Sequence, residues 1–345
     1  MRVPKLNQAP SFSGVLLGLL SALVAACGGT ESTARVPAAP CGCNAARPCP
    51  AGFACSDALC LALPPPAPAP LAASVTAEPA PPAVSSVVLA GTEVHELVSK
   101  TNARSYEIMV APAAKTAPGA LHPVVYVLDG YWDFPLVATM RGSLKYDAAI
   151  PDVIVVGIGY TGFGPDAPEL ADLRKRDLTP TPGDSPAPSA GGGPEFLRFL
   201  GDELIPYIES HYPADPKERV LAGASLGGLF ALYALFERPG LFEGYVAMTP
   251  AVRWDDGFIV KREREFKKSH APLSARVWLS VGGDEDAKAL AADIAFFRQL
   301  EASRYQGLTL RTRVVEGERH AAMKNESYNR GLRFVLAPLA PHPSK

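Results

Sequence analysis

Residues 219–229 read RVLAGASLGGL, and this stretch decides the fold. Val220–Ala222 is a short apolar run of strand character, and the residues from Leu226 onward (LGGLFALYALF) form an apolar helical run. Between them, Gly223-Ala224-Ser225-Leu226-Gly227 fits G-x-S-x-G, in which the chain reverses so sharply that the serine takes a strained backbone conformation. The flanking glycines keep side chains out of that reversal. Ser225 then stands at a helix N-terminus, where N–H groups without helical partners favour a developing oxyanion. The N–H of Leu226 is the expected first donor. A second should come from the loop after an earlier strand, Val124–Leu128, where Gly130 permits a turn and Tyr131 offers its N–H. Asp129, beside them, either positions a substrate or braces the turn.

Outward from this turn, apolar runs alternate with amphipathic stretches. Val87–Leu97 and Arg104–Val110 read as an antiparallel start. Val124–Leu128, Val153–Ile158, Val220–Ala222, Gly244–Met248, Val277–Val281 and Thr312–Val315 read as short strands buried on both faces. Helices are expected over Glu195–His211, Gly227–Phe236 and Ala287–Tyr305. Strands and helices in alternation predict an α/β fold: a mostly parallel central sheet with helices on both faces. Residues 161–193 are polar and rich in Gly and Pro, and are expected to be irregular and to open on the catalytic face. Arg174 and Arg176 within them are candidate substrate-binding residues, because a guanidinium presents a planar fork of donors to oxygen-rich ligands. The alternative is that Arg176 and Asp177 only tie the segment down as an ion pair.

A nucleophilic serine needs a base, and in this order of elements the base follows it. Of the later histidines, His342 lies in a Pro-flanked tail and His270 in a charged run, KREREFKKSH. His320, in VVEGERHAAM just after the strand at 312–315, occupies the loop position that suits a base. An acid should lie on the loop after the preceding strand, where VWLSVGGDED places Asp284, Glu285 and Asp286. Any of the three could hold His320, and any could instead cap the helix that starts near Ala287.

With these positions in hand, a resemblance emerges. VVYVLDGYWDF (124–134), VIVVGIGY (153–160), RKRDLTPTP (174–182), the run 221–250, and LSVGGDED with VVEGERH (279–286 and 314–320) occur in the order seen in the putative-esterase branch of the α/β-hydrolases. That branch includes relatives of esterase D and the trilactone siderophore esterases, with mycolyltransferases as more distant cousins. The resemblance spans nearly all of residues 86–340. It implies an α/β-hydrolase fold, Ser225 as nucleophile, His320 as base, oxyanion donors at Tyr131 and Leu226, and Glu285 as the acid, by its place in a Gly-x-x-Glu pattern counted from Gly282. It implies an esterase acting on a small ester, with no cofactor and no metal. Where related sequences carry Ser-Pro-Ser and paired tryptophans, this chain reads TPAVRW over Thr249–Trp254, which leaves Trp254 as the aromatic candidate for the pocket.

The N-terminal quarter has a different composition. All six cysteines fall in residues 1–85. Arg2 and Lys5 precede an apolar run, VLLGLLSALVAA (15–26), too short to span a bilayer and typical of an export signal. It ends in Val-Ala-Ala-Cys, which is similar to a bacterial lipoprotein cleavage box and makes Cys27 the expected lipidated residue, with Gly28 leaning toward the outer membrane. Residues 27–61 form a Cys-rich leader, expected to hold disulfides, and residues 62–85 a Pro/Ala linker. Residues 86–345 make the catalytic domain. With 33 basic against 35 acidic residues, no basic footprint for nucleic acid is expected. The expected partners are a small-molecule ester and a membrane reached through Cys27. Acyl transfer by the same residues, and a non-catalytic binding protein on a hydrolase scaffold, are the alternatives.

Overall fold

A computed structural model of the chain describes residues 49, 51, 53–56, 59–63, 88–114, 118–184 and 189–340. The export signal, Cys27, residues 64–85 of the Pro/Ala linker and His342 lie outside them. The chain divides into two units, 1–84 and 85–345. In the first, strands β1 (Phe53–Ser56) and β2 (Leu59–Ala62) pair antiparallel, and Cys49 is disulfide-bonded.

The second unit is built on an eight-stranded sheet. Its strands are β3 (Glu93–Val98), β4 (Ser105–Ala111), β5 (His122–Val127), β6 (Ile154–Tyr160), β7 (Ala214–Ala224), β8 (Gly244–Met248), β9 (Ala275–Gly282) and β10 (Leu308–Val315). They lie in the order β10-β9-β8-β7-β5-β6-β4-β3. From β10 to β6 every pairing is parallel, while β4 is antiparallel to both neighbours. The central strands β5, β6 and β8 are buried along their whole length, as runs of Val, Ile and Ala without polar alternation require. The edges differ: β10 alternates between exposed and half-buried residues.

Successive side chains on one strand feed opposite layers. Val125, Val127, Val220, Ala222 and Val246 pack beneath two helices, α1 (Gly130–Tyr146) and α8 (Lys324–Leu336). Tyr126, Leu221, Tyr245 and Leu279 face the opposite layer. That layer holds α2 (Leu170–Leu178), α3 (Gly193–Phe199), α4 (Ile205–His211), α5 (Leu226–Glu237), α6 (Trp254–Lys268) and α7 (Ala287–Ser303). A π-helical turn, Leu200–Leu204, joins α3 to α4. Helix α5 is buried on every side from Gly227 to Phe236, which is why its sequence is apolar all round rather than amphipathic.

One expectation is corrected here. Residues 161–193 are not irregular throughout, because α2 occupies 170–178. This helix buries only Leu170, Asp177 and Leu178, so it carries almost no apolar periodicity. An internal ion-pair cluster fixes it instead. Asp177 is fully buried and accepts from Arg104 at 2.6 Å, from Arg176 at 2.8 and 2.9 Å, and from the Tyr106 hydroxyl at 3.1 Å.

Candidate active site

Ser225 lies between the end of β7 and the start of α5, with φ 58° and ψ −119°. A positive φ is costly for a serine, and two glycines make the surrounding space. A Cβ on Gly223 would come within 2.7 Å of the Gly227 carbonyl carbon, and one on Gly228 within 2.8 Å of the Met248 oxygen. The segment after β8 clamps the turn from the side. Ser225 N–H donates to Met248 O at 3.0 Å, and Ala251 N–H donates to Ser225 O at 3.2 Å. These bonds hold the serine in its strained conformation.

The loops after β9 and β10 are stitched together by their backbones. Gly283 N–H donates to Val315 O at 2.8 Å and Asp284 N–H to Glu318 O at 3.0 Å. This stitching sets Glu285 against His320, with its two carboxylate oxygens 3.0 and 3.1 Å from Nδ1. An ionised carboxylate can only accept, so Nδ1 carries the proton and Nε2 is left with its lone pair. The Thr249 hydroxyl donates to Glu285 Oε1, from a buried residue with φ 38° directly after β8.

The three acids on that loop therefore separate. Asp286 is the N-cap of α7, accepting from Lys288 and Ala289 N–H at 3.1 Å each. Asp284 is exposed and touches the histidine loop through its backbone only. Glu285 alone of the three contacts His320 through its side chain.

Two N–H groups stand at the starts of the helices that follow β7 and β5. Leu226 is the first residue of α5 and Tyr131 the second of α1, positions whose N–H has no carbonyl partner within its own helix. The Tyr131 ring points away, exchanging hydrogen bonds with the backbone of Tyr160 over Gly159. Burial and the charge of Glu107 push its hydroxyl up to about 12, so it is neutral.

Two cavities meet at Ser225 and His320. The narrower, about 230 Å³, is walled by Thr249, Pro250, Val252, Trp254, Ala289 and Asp293. Trp254 is held there by its indole N–H, which donates to Thr181 O at 3.1 Å. The wider, about 380 Å³, is walled by Asp129, Trp132, Asp133, Arg174 and Lys324. Asp129, in a left-handed conformation, receives a two-pronged bond from Arg174 at 2.6 and 2.9 Å. It braces the turn before Tyr131 rather than presenting a free carboxylate.

Arg174 lines the wider cavity with its guanidinium committed to Asp129. Arg176 does not line either catalytic cavity, and its guanidinium is committed to Asp177. This geometry fits the alternative in which Arg176 and Asp177 tie the segment down as an ion pair, since a fork already matched to a carboxylate offers little to a ligand. Four residues at the site were given no role by the sequence reading: Thr249, Asp293, and Asp133 with Lys324, which are joined at 2.5 Å. Asp293 had left a signal, because in LAADIAFF it sits three residues from both Leu290 and Phe296, on the buried face of its helix.

The comparisons identify the family to which the chain belongs. A family model described as "Putative esterase" matches residues 99–329. The ferri-bacillibactin esterase BesA of Bacillus subtilis is 31% identical over 282 residues, covering 75% of this chain and 94% of the relative. The siderophore triacetylfusarinine C esterase of Aspergillus fumigatus is 35% identical over 180 residues, 50% of this chain and 59% of that protein. Among solved structures, the BES protein from Bacillus cereus superposes with a TM-score of 0.68 at 28% identity, over 73% of this chain and 97% of its own. By sequence and by architecture, the chain belongs to the putative-esterase family of α/β-hydrolases.

Proposed function

We propose that this protein hydrolyses a carboxylic ester of a small molecule through an acyl-enzyme on Ser225. The observation that carries the reading is the Glu285–His320 contact, stitched in place beside a strained serine at the junction of two cavities. His320 Nε2 takes the proton from Ser225 Oγ as the oxygen attacks the ester carbonyl, and Glu285 stabilises the imidazolium that forms. The N–H groups of Leu226 and Tyr131 receive the oxyanion. His320 then returns the proton to the leaving alcohol, and water repeats the sequence to release the acid. The activities for which the relatives are named support a siderophore-type ester as substrate. The run ending at Cys27 supports export and a lipid anchor, which would place the enzyme at a membrane surface.

The test is labelling by a fluorophosphonate together with turnover of p-nitrophenyl butyrate. Both should be present in the wild type and absent in Ser225→Ala, with a loss of roughly 10⁶ in kcat by analogy with other triad serines. A folded Ser225→Ala protein that still turns over the ester would remove the assignment.

A further inference from the structure

Asp293 takes no part in the chemistry described above, yet it sits in the wall of the narrower cavity with Ser225 and His320. It is 3% exposed, and no hydrogen bond or ion pair joins its carboxyl to another described residue. With no partner among the described residues, its oxygens open on the cavity, and a carboxyl in so apolar a wall is costly unless water or a ligand satisfies it. The other walls, Pro250, Val252, Trp254 and Ala289, offer hydrocarbon almost everywhere else. The charged and titratable groups lining the same cavity are Glu285, whose oxygens are engaged by His320 and Thr249, then His320 itself, and Arg253.

We infer that Asp293 is a specificity-determining residue, donating a hydrogen bond to an ether, hydroxyl or amide oxygen on the arm of the ester that enters the narrower cavity. This deepens the esterase reading above and rests on it. Burial, and then the charge of Glu285, push the Asp293 carboxyl up to about 8. At neutral pH it is therefore a neutral acid with a proton to donate. The substrate class that follows is an ester whose arm in the narrower cavity bears an oxygen acceptor. An all-carbon arm would leave the carboxyl unsatisfied.

The test uses isosteric pairs differing by oxygen in place of methylene. p-Nitrophenyl methoxyacetate is compared with p-nitrophenyl butyrate, and 2-methoxyethyl acetate with butyl acetate, so that either arm can report. The readout is the ratio of kcat/KM within each pair, which cancels losses common to both members. One net hydrogen bond corresponds to roughly a 3- to 10-fold ratio. Asp293→Leu should lower the ratio by that factor in one pair at pH 6.5. Asp293→Asn keeps a donor that cannot ionise, so it should retain the ratio and lose the decline that the wild type shows above about pH 8. Ratios in both pairs that are the same in wild type and Asp293→Leu would overturn the inference. Should the Leu variant fail to fold, an Asn variant whose ratio still declines above pH 8 would do the same. Either result leaves the esterase reading standing, since that depends on Ser225 and butyrate turnover alone.

Discussion

Replacing Glu285 by Gln removes a charge while keeping the shape of the side chain. The carboxylate lies 3.0 Å from His320 Nδ1, and its own exposure is 7% against 55% for the histidine side chain. In the transition state His320 is a cation, and with an effective dielectric constant of 20 the attraction at this distance is about 5.5 kcal/mol. Solvent at the half-exposed ring screens part of this, so about 3 kcal/mol is the lower figure. At about 1.4 kcal/mol per factor of ten, kcat/KM should fall by roughly 10² to 10⁴. The upper end matches the effect of amide replacement in a buried triad, where a reversed amide stabilises the wrong histidine tautomer. The Thr249 hydroxyl does not prevent that reversal, because it can either donate or accept. The assay is steady-state hydrolysis of p-nitrophenyl butyrate at pH 7 to 8, with KM separated from kcat and folding checked by thermal melting. A folded variant within about threefold of the wild type would refute the role of Glu285 and indicate a serine–histidine pair working alone.

Asp286→Ala should leave turnover nearly intact and lower stability by about 1 kcal/mol, the usual worth of an N-cap, as measured by urea unfolding. Asp177→Asn strands two arginines, Arg104 and Arg176, beside a neutral amide. Because both guanidinia keep some solvent, the loss should fall near the lower end of the range for broken buried pairs, about 3 kcal/mol. The raised value of Asp293 means that the folded state holds its proton more tightly than the unfolded chain. Its contribution is complete below the ordinary carboxylate value and is lost as pH rises to about 8, so Asp293→Asn should gain stability over wild type progressively across that interval, by up to about 5 kcal/mol. Melting temperatures of the two proteins at pH 5 and pH 9 check the sign. Cys27→Ala should abolish palmitate incorporation and release the protein from membranes; labelling at the wild-type level would exclude anchoring at this residue.

The parallel strands were legible because full burial demands unbroken apolar runs, and VVYV, VIVV and VAM have few other readings. Ser225 was legible because the sharp turn imposes a steric signature at fixed spacing. Helix α2 was not, because polar contacts at Asp177 rather than an apolar stripe hold it. The residues alone left Asp284, Glu285 and Asp286 open, and only the family resemblance singled out Glu285, because the contact depends on two backbone bonds between loops more than thirty residues apart in sequence. Thr249 was hidden for a similar reason. Its role comes from the place where β8 ends relative to β9, and its own sequence neighbours do not mark it.

The wider cavity carries two cations and two anions, each cation already matched: Arg174 to Asp129 and Lys324 to Asp133. A wall whose charges cancel at close range projects almost no field into solution. This wall would therefore give a charged ester little electrostatic guidance of its own. Once inside, such a ligand would have to exchange places with a resident carboxylate. Discrimination by charge would then appear in how long the ligand stays, with little trace in how often it arrives.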